Sequence, residues 1–264
     1  MKKKSIRTGF IGAGNMAQAM MKALRGKAEL YAFDIDLKKL DKVSHDFKAH
    51  KVTSIKALVS ACDVVVLAVK PADMEFVLWK LAGIGRDKTV ISIAAGITIG
   101  KIQSILGKVP VIRVMPNTPA LAGEGACGYS LSAQAKAGSR AEALVKACCK
   151  VAVKLDEKYM NAVTAVSGSG PAYFFYAAEA MMNAGKKLGL KEKELKLLVG
   201  QTIRGAGEMI LTSKEKPGVL REMVTSKGGT TERALAALEK AGVGRAFEKA
   251  IFAAKKRGDE MAGK

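Results

Sequence analysis

Between Ser5 and about Leu155 the chain alternates short, β-branched apolar runs with stretches whose apolar residues recur at helical spacing. The run "IRTGFIG" precedes "NMAQAMMKAL", "ELYAFD" precedes "LKKLDKVSHDF", "DVVVLAV" precedes "DMEFVLWKLAG", "TVISIA" precedes "ITIGKIQSIL", and "PVIRVMP" closes the series. Strands apolar on both faces and separated by helices of about ten residues predict βαβ units and a parallel sheet covered on both sides. Past Met115 the pattern loosens to "GYSLS", a helical "AQAKAGSRAEALVKACCK" and a short "VAVKL", which are expected to complete the sheet at one edge. From Lys158 strand signals disappear. Two helical patterns there are broken at Ser167 to Pro171, where proline suits a first helical turn. Leu195, Leu198, Thr202, Ala206 and Met209 then share one helical face, with Leu235 and Leu238, and Phe247, Ile251 and Ala254, on others. The expected organisation is α/β: a doubly wound, mostly parallel sheet over residues 1–157, then an all-helical domain over 158–264.

Composition narrows the class without naming a function. The chain has 264 residues, 49% hydrophobic but only 5% aromatic, so its core must be built from Ala, Val, Ile, Leu and Met. The formal net charge is +20, yet the lysines and arginines are dispersed and interleaved with acids, as in "KKLGLKEKELK". That is the pattern of solvated helix faces, so no nucleic-acid or membrane partner is expected, although anionic ligands would be steered inward. Cys62, Cys127, Cys148 and Cys149 lack metal-ligand spacing and read as free thiols of a cytoplasmic protein. The basic start lacks the apolar run of a signal peptide, and no stretch is long and apolar enough to span a membrane.

The stretch "GFIGAGNMAQAM" places Gly12, Gly14 and Ala17 in the spacing G-x-G-x-x-A between a strand and a helix. The first glycine permits a tight turn, the second lets a pyrophosphate approach the backbone, and the small third residue lets helix and strand pack closely. Gly12, Gly14, Asn15, Met16 and Ala17 are therefore candidate dinucleotide contacts of a Rossmann-type domain, with the phosphates at a helix N-terminus. Asp34, at the end of the second strand, either accepts hydrogen bonds from the adenosine ribose and disfavours a 2′-phosphate, or, like Asp36, caps the next helix. The first reading favours NADH over NADPH. "AVKP", "IAAG" and "MPNTPA" fall at the ends of later strands, so Val69, Lys70, Pro71, Ala94, Ala95, Gly96, Pro116 and Asn117 are placed to line the nicotinamide side; the prolines would otherwise simply end strands. His45 and His50 sit in a polar connection, which leaves no positioned histidine of the lactate-dehydrogenase kind. A hydride-transfer enzyme of this type must reduce a group whose proton is already in place, or use a hydroxyl or water. No metal site is expected.

Taken together, "GFIGAGNMA", "AVKP", "MPNTPA", "AVSGSGPAY" and "VTSKGGTT" resemble, in order and spacing, the pyrroline-5-carboxylate reductases over essentially the whole chain. The resemblance implies a Rossmann domain followed by a helical dimerisation domain, reduction of the small anionic imine 1-pyrroline-5-carboxylate to L-proline by NAD(P)H, and homodimers or larger assemblies of dimers with interlocked helices. It also implies that Ser226, Gly229 and Thr230 hold the substrate carboxylate and that the Thr231 hydroxyl meets the ring nitrogen. Relatives often carry Asn-Arg where this chain has Asp34 and Ile35, and proline where it has Lys227. Two other readings stay open at this point: a related imine or β-hydroxyacid reductase, and a non-catalytic dinucleotide-binding regulator.

Overall fold

A computed structural model describes residues 5–263. Its sheet contains eight strands in the order β3-β2-β1-β4-β5-β6-β7-β8. They are β1 (Ile6–Ile11), β2 (Ala28–Phe33), β3 (His50–Lys51), β4 (Val64–Leu67), β5 (Thr89–Ser92), β6 (Val111–Pro116), β7 (Ala126–Leu131) and β8 (Val151–Lys154). All neighbours are parallel except β6 and β7, which pair antiparallel with Pro116 opposite Cys127. Six helices are threaded between these strands: α1 (Asn15–Leu24), α2 (Leu37–Phe47), α3 (Ile55–Ala61), α4 (Met74–Lys80), α5 (Ile99–Leu106) and α6 (Arg140–Cys148). The expected α/β architecture is present.

Strand β4 shows why the runs are apolar throughout. Val64 and Val66 enter one core with Phe10, Met21, Leu24 and Ile112, while Val65 and Leu67 enter a second with Leu58, Leu78, Val90 and Ile102. Each fully buried side chain of this size contributes about 1.5–3 kcal/mol from burial, which is why a two-sided strand carries no polar alternation.

Several boundaries differ from the expected ones for local reasons. The sixth helix does not begin at Ala133. Gly138 has φ +73°, Ser139 caps Glu142 N, and regular helix starts at Arg140. Strand β3 and helix α3 had no strong periodic signal: β3 is a two-residue strand paired to Tyr31 and Ala32, and α3 spans a single stretch capped by Ser54.

Beyond the sheet run α7 (Met160–Val163), a π-turn over Thr164–Gly168, α8 (Gly170–Lys187), α9 (Glu192–Thr212), α10 (Pro217–Met223), α11 (Thr230–Lys240) and α12 (Val243–Met261). The chain forms two compact units, residues 5–169 with 254–263, and residues 170–253. The stretch 158–169 and the last turns of α12 therefore pack with the sheet, which differs from a division at residue 157.

In the second unit α8 lies against α9, and Tyr173 meets Phe247 edge-to-face at 6.4 Å. Of the apolar face expected on α9, Leu195 is 3% exposed, but Leu198 and Met209 are open to solvent. Leu238 and Phe247 are also exposed, while Leu235, Ile251 and Ala254 are half-buried, so these faces are covered only in part within one chain.

Near the antiparallel edge, the buried Glu142 accepts from the Tyr129 hydroxyl at 2.6 Å and from Gly138 N, with Lys146 at 3.4 Å. The Tyr129 hydroxyl and the Gly138 amide hold the Glu142 carboxyl below its ordinary range, while burial helps push the Tyr129 hydroxyl up to about 12. Because the folded carboxyl titrates lower than the unfolded one, its contribution is present at neutral pH and lost as pH falls through the folded value. Tyr129→Phe should lower stability by about 1–3 kcal/mol at neutral pH in urea unfolding, and by less in acid where Glu142 is protonated. An equal cost at both pH values would show that the hydroxyl acts independently of the carboxylate.

Candidate active site

Five parallel strands, β2, β1, β4, β5 and β6, end on the same edge of the sheet, and their following loops are joined by backbone bonds. Gly12 N donates to Phe33 O at 2.8 Å, Ala68 N to Ile11 O at 2.9 Å, and Ile93 N to Leu67 O at 3.2 Å. The strand order reverses between β1 and β4, the position at which open α/β sheets leave a crevice. Gly12 occupies that point with φ +98°. A Cβ there would stand 2.7 Å from Ala68 O, so the turn demands glycine twice, by conformation and by closeness.

Helix α1 then starts at Gly14 with no side-chain cap. Helices α2, α3, α5 and α6 are capped by Asp36, Ser54, Thr98 and Ser139 respectively. The first-turn amides of α1, at Asn15, Met16 and Ala17, thus lack the side-chain acceptor that these four helices possess, and no atom lies within 4 Å of a Cβ built on Gly14. An anion-binding helix start needs this combination of unmet donors and open space. Ala17 is 1% exposed and packs into the core beneath.

Asp34 does not cap α2; Asp36 does, accepting from Lys38 N and Lys39 N. Instead, Asp34 Oδ2 accepts from Ala13 N at 2.7 Å and Oδ1 from Asp36 N at 2.9 Å. This half-buried carboxylate therefore stands against the glycine turn itself. Ile35, beside it, is 92% exposed.

The other loops divide into exposed and pinned residues. Val69 is half-buried, Lys70 and Pro71 are exposed, and Pro71 opens a short 3-10 turn before α4. Ala94 and Gly96 are buried and Ala95 half-buried, with Gly96 at φ +75°. Pro116 is buried in the β6–β7 ladder. The Asn117 side chain accepts from Ala126 N at 2.9 Å and donates to Ser167 O at 3.4 Å, so it ties its loop to β7 and the π-turn.

In the second unit, the stretch between α10 and α11 is built around Gly228 at φ +75°. Gly229 N donates to Ser226 O at 3.0 Å, and Gly228 N donates to the Glu232 carboxylate at 2.8 Å. Helix α11 starts after Gly229, again without a side-chain cap. Ser226, Lys227 and Thr230 are exposed and Thr231 is half-buried in the first turn. The structure thus places Gly12, Gly14, Asp34 and the loops at 69–71, 94–96 and 116–117 along one edge of the sheet unit, and Ser226 to Thr231 together at one helix start of the other.

One group of polar residues was not anticipated. Arg113, 4% exposed in β6, donates to Glu157 Oε1 and Asn161 Oδ1, each at 3.1 Å. Its signal was an arginine inside the otherwise apolar run "VIRVMP". His45 is exposed beside Asp46, and His50 lies 3.7 Å from Glu29, as expected of surface groups. Burial pushes the Cys62 and Cys148 thiols up to about 12, so neither is a nucleophile near neutral pH. Among the described residues no group of three or more His, Cys, Asp or Glu is arranged to hold a metal, and no helix is long and apolar enough to cross a membrane.

Comparison with known proteins covers both units. Residues 157–261 match the family model for pyrroline-5-carboxylate reductase dimerisation, and residues 7–96 match that for NADP oxidoreductase, coenzyme F420-dependent. The pyrroline-5-carboxylate reductase of Pseudomonas aeruginosa is 41% identical over 97% of both chains, and that of Arabidopsis thaliana is 36% identical over 98% of this chain and 96% of its own. Among solved structures, a pyrroline-5-carboxylate reductase from Coxiella burnetii superposes with a TM-score of 0.89 at 33% identity, covering 98% of this chain and 99% of its own. That of Plasmodium falciparum with NADP bound gives 0.86 at 30% identity, over 97% and 98%. With both a family model and full-length relatives in agreement, the chain belongs to the pyrroline-5-carboxylate reductase family.

Proposed function

We propose that this chain reduces the imine carbon of 1-pyrroline-5-carboxylate to give L-proline, the last step of proline biosynthesis, with NAD(P)H as reductant. The observation that carries the reading is that α1 and α11 each start on a glycine, Gly14 and Gly229, with no side-chain cap, in a chain of this family. The first suits a pyrophosphate and the second a small carboxylate. When bound, NAD(P)H supplies the hydride. The protein's own part is to hold the two reactants. Amides of Asn15, Met16 and Ala17 take the diphosphate, while the loops at Val69–Pro71, Ala94–Gly96 and Pro116–Asn117 flank the nicotinamide. Ser226, Gly229 and Thr230 bind the substrate carboxylate.

A protonated C=N is already an electrophile, so no strong acid is needed at the reacting carbon, and the gain comes chiefly from orientation. The Thr231 hydroxyl is the group assigned to the ring nitrogen. It accepts the iminium N–H hydrogen bond and keeps the proton on nitrogen as the bond order falls. Glu232, bonded to Gly228 N, shapes the same loop.

Asp34 has two oxygens already engaged with Ala13 N and Asp36 N, but an ionised carboxylate offers about four acceptor positions. The remaining ones suit ribose hydroxyls, and the charge opposes a 2′-phosphate, so NADH is the preferred cofactor. The exposed Phe174, Phe175 and Tyr176 of α8, with Leu197, Leu198, Ile210 and Leu211 of α9, are apolar surface that a second copy would cover, and a homodimer is the proposed working unit. Four unpaired thiols suit a reducing cytoplasm.

The test is a spectrophotometric assay with pyrroline-5-carboxylate and either cofactor; no oxidation of either would sink the assignment. Thr231→Ala should lower kcat about 10²-fold or more with little change in cofactor KM, and unchanged turnover would remove its assigned role. Asp34→Ser should shift the NADH-to-NADPH ratio of kcat/KM at least about tenfold toward NADPH, through loss of the charge that opposes a 2′-phosphate; an unmoved ratio counts against the carboxylate. In sedimentation, the wild type should run as a dimer or a multiple of it, and a monomer at micromolar concentration would contradict the proposed working unit.

A further inference from the structure

The loop that carries Ala94, Ala95 and Gly96 is held from behind by the end of α12. Gly96 has φ +75°, and a Cβ built on it would stand 2.7 Å from Met261 Cβ and 3.2 Å from the Met261 carbonyl carbon. The last turn of α12 therefore touches the loop directly, so closely that a side chain has no room. The far end of the same loop, where α5 begins, is fixed by a different device. Ile99 N donates to Glu157 Oε1 at 2.7 Å, and that same oxygen accepts from Arg113 Nη1 at 3.1 Å.

From Arg113 a line of hydrogen bonds leads back to α12. Arg113 Nη2 donates to Asn161 Oδ1 at 3.1 Å, and Asn161 Nδ2 donates to Asp259 Oδ1 at 2.8 Å. Asp259 Oδ2 takes Lys255 Nζ at 2.7 Å one turn earlier on the helix. A Cβ on the buried Gly258 would lie 3.4 Å from Asn161 Cβ, so helix and amide are in close contact. The amide of Asn161 is used at both ends, which fixes its orientation. Arg113 is an expensive residue to place inside a sheet, since a buried guanidinium loses several kcal/mol of hydration and an apolar side chain of similar volume would pack without that loss. An apolar residue would serve the sheet at this position, so the arginine is explained by what it connects.

We propose that the C-terminal turn of α12 is a positioning element for the dinucleotide, with Asp259 acting through Asn161, Arg113 and Glu157 on Ile99, and Met261 acting directly on Gly96. Asp259 and Met261 touch neither reactant. They hold both ends of one nicotinamide-side loop, and the inference rests on assigning Ala94–Gly96 to the cofactor.

The readout is dinucleotide affinity measured by the fluorescence of bound NADH and NADPH, alongside steady-state kinetics and thermal melting of the full chain. Asp259→Ala should raise the Kd and the KM of the cofactor about fivefold to tenfold, the scale of one lost, partly buried hydrogen bond, and leave the KM of pyrroline-5-carboxylate within about twofold. Asp259→Asn keeps an acceptor for Asn161 and should restore cofactor affinity to within about twofold. Lys255→Ala, which removes only a half-exposed ion pair, should leave it unchanged. If Asp259→Ala does not fold, Met261→Gly reads the direct contact and should raise the cofactor Kd about twofold to threefold. A lower melting temperature with unchanged cofactor Kd would make the network merely structural and overturn the proposal, as would an equal loss for substrate and cofactor. A wild type that binds dinucleotide without reducing the imine would overturn the catalytic reading while leaving the positioning role to be judged on Kd; one that binds neither dinucleotide would overturn both.

Discussion

The close approach of Gly12 to the carbonyl of Ala68 is the constraint on which the sheet unit depends. Two parallel strands that leave the sheet in opposite lateral directions must part at their carboxyl ends, and here they part across a gap too narrow for any side chain. Because the turn stays that tight, α1 begins at Asn15, four residues after β1 ends. A larger residue would push α1 away from β4 and at once open the stitching of Gly12 to Phe33 and of Ala68 to Ile11.

The starts of α1 and α11, each with glycine at the cap position, gain meaning from the capped ones. Four helices of the sheet unit take Asp36, Ser54, Thr98 and Ser139 as side-chain caps. Glycine at the same position of α1 and α11 supplies no side-chain acceptor for the first amides. In α11 the contrast is sharper, because Ser226 lies just three residues before the cap position and its carbonyl, rather than its hydroxyl, accepts Gly229 N. Glu232 satisfies the Gly228 amide from the helix side, which keeps the loop in shape while the amides ahead of it stay open.

Much of this was legible in the sequence because the signals were local. Helices α1 and α2 and strands β1 and β5 follow from short periodic runs bounded by turn residues, and the glycine turn follows from spacing. What periodicity could not distinguish was which apolar face meets its own chain and which is exposed: Leu195 and Leu198 read alike, yet one is buried and the other open. That Asp36 rather than Asp34 caps α2 was not legible in the sequence, because one oxygen of Asp34 is engaged by Ala13, a contact across 21 residues. The relay from Arg113 to Asp259 joins residues far apart in the chain, and only the unexplained arginine in an apolar strand hinted at it. The antiparallel turn at β7 was equally silent, since a strand's direction leaves no trace in its composition.

Helix α12 begins in one compact unit and ends in the other, which makes residues 170–253 an insertion within the first unit rather than a sequel to it. Domains commonly fold as they leave the ribosome, amino-terminal part first. Here the sheet can form early, but Asn161 has no Asp259 and Gly96 no Met261 to meet until the whole inserted unit has been synthesised. The order of events during translation follows: the loop beside Gly96 acquires its backing only after residues 170–253 are available to fold.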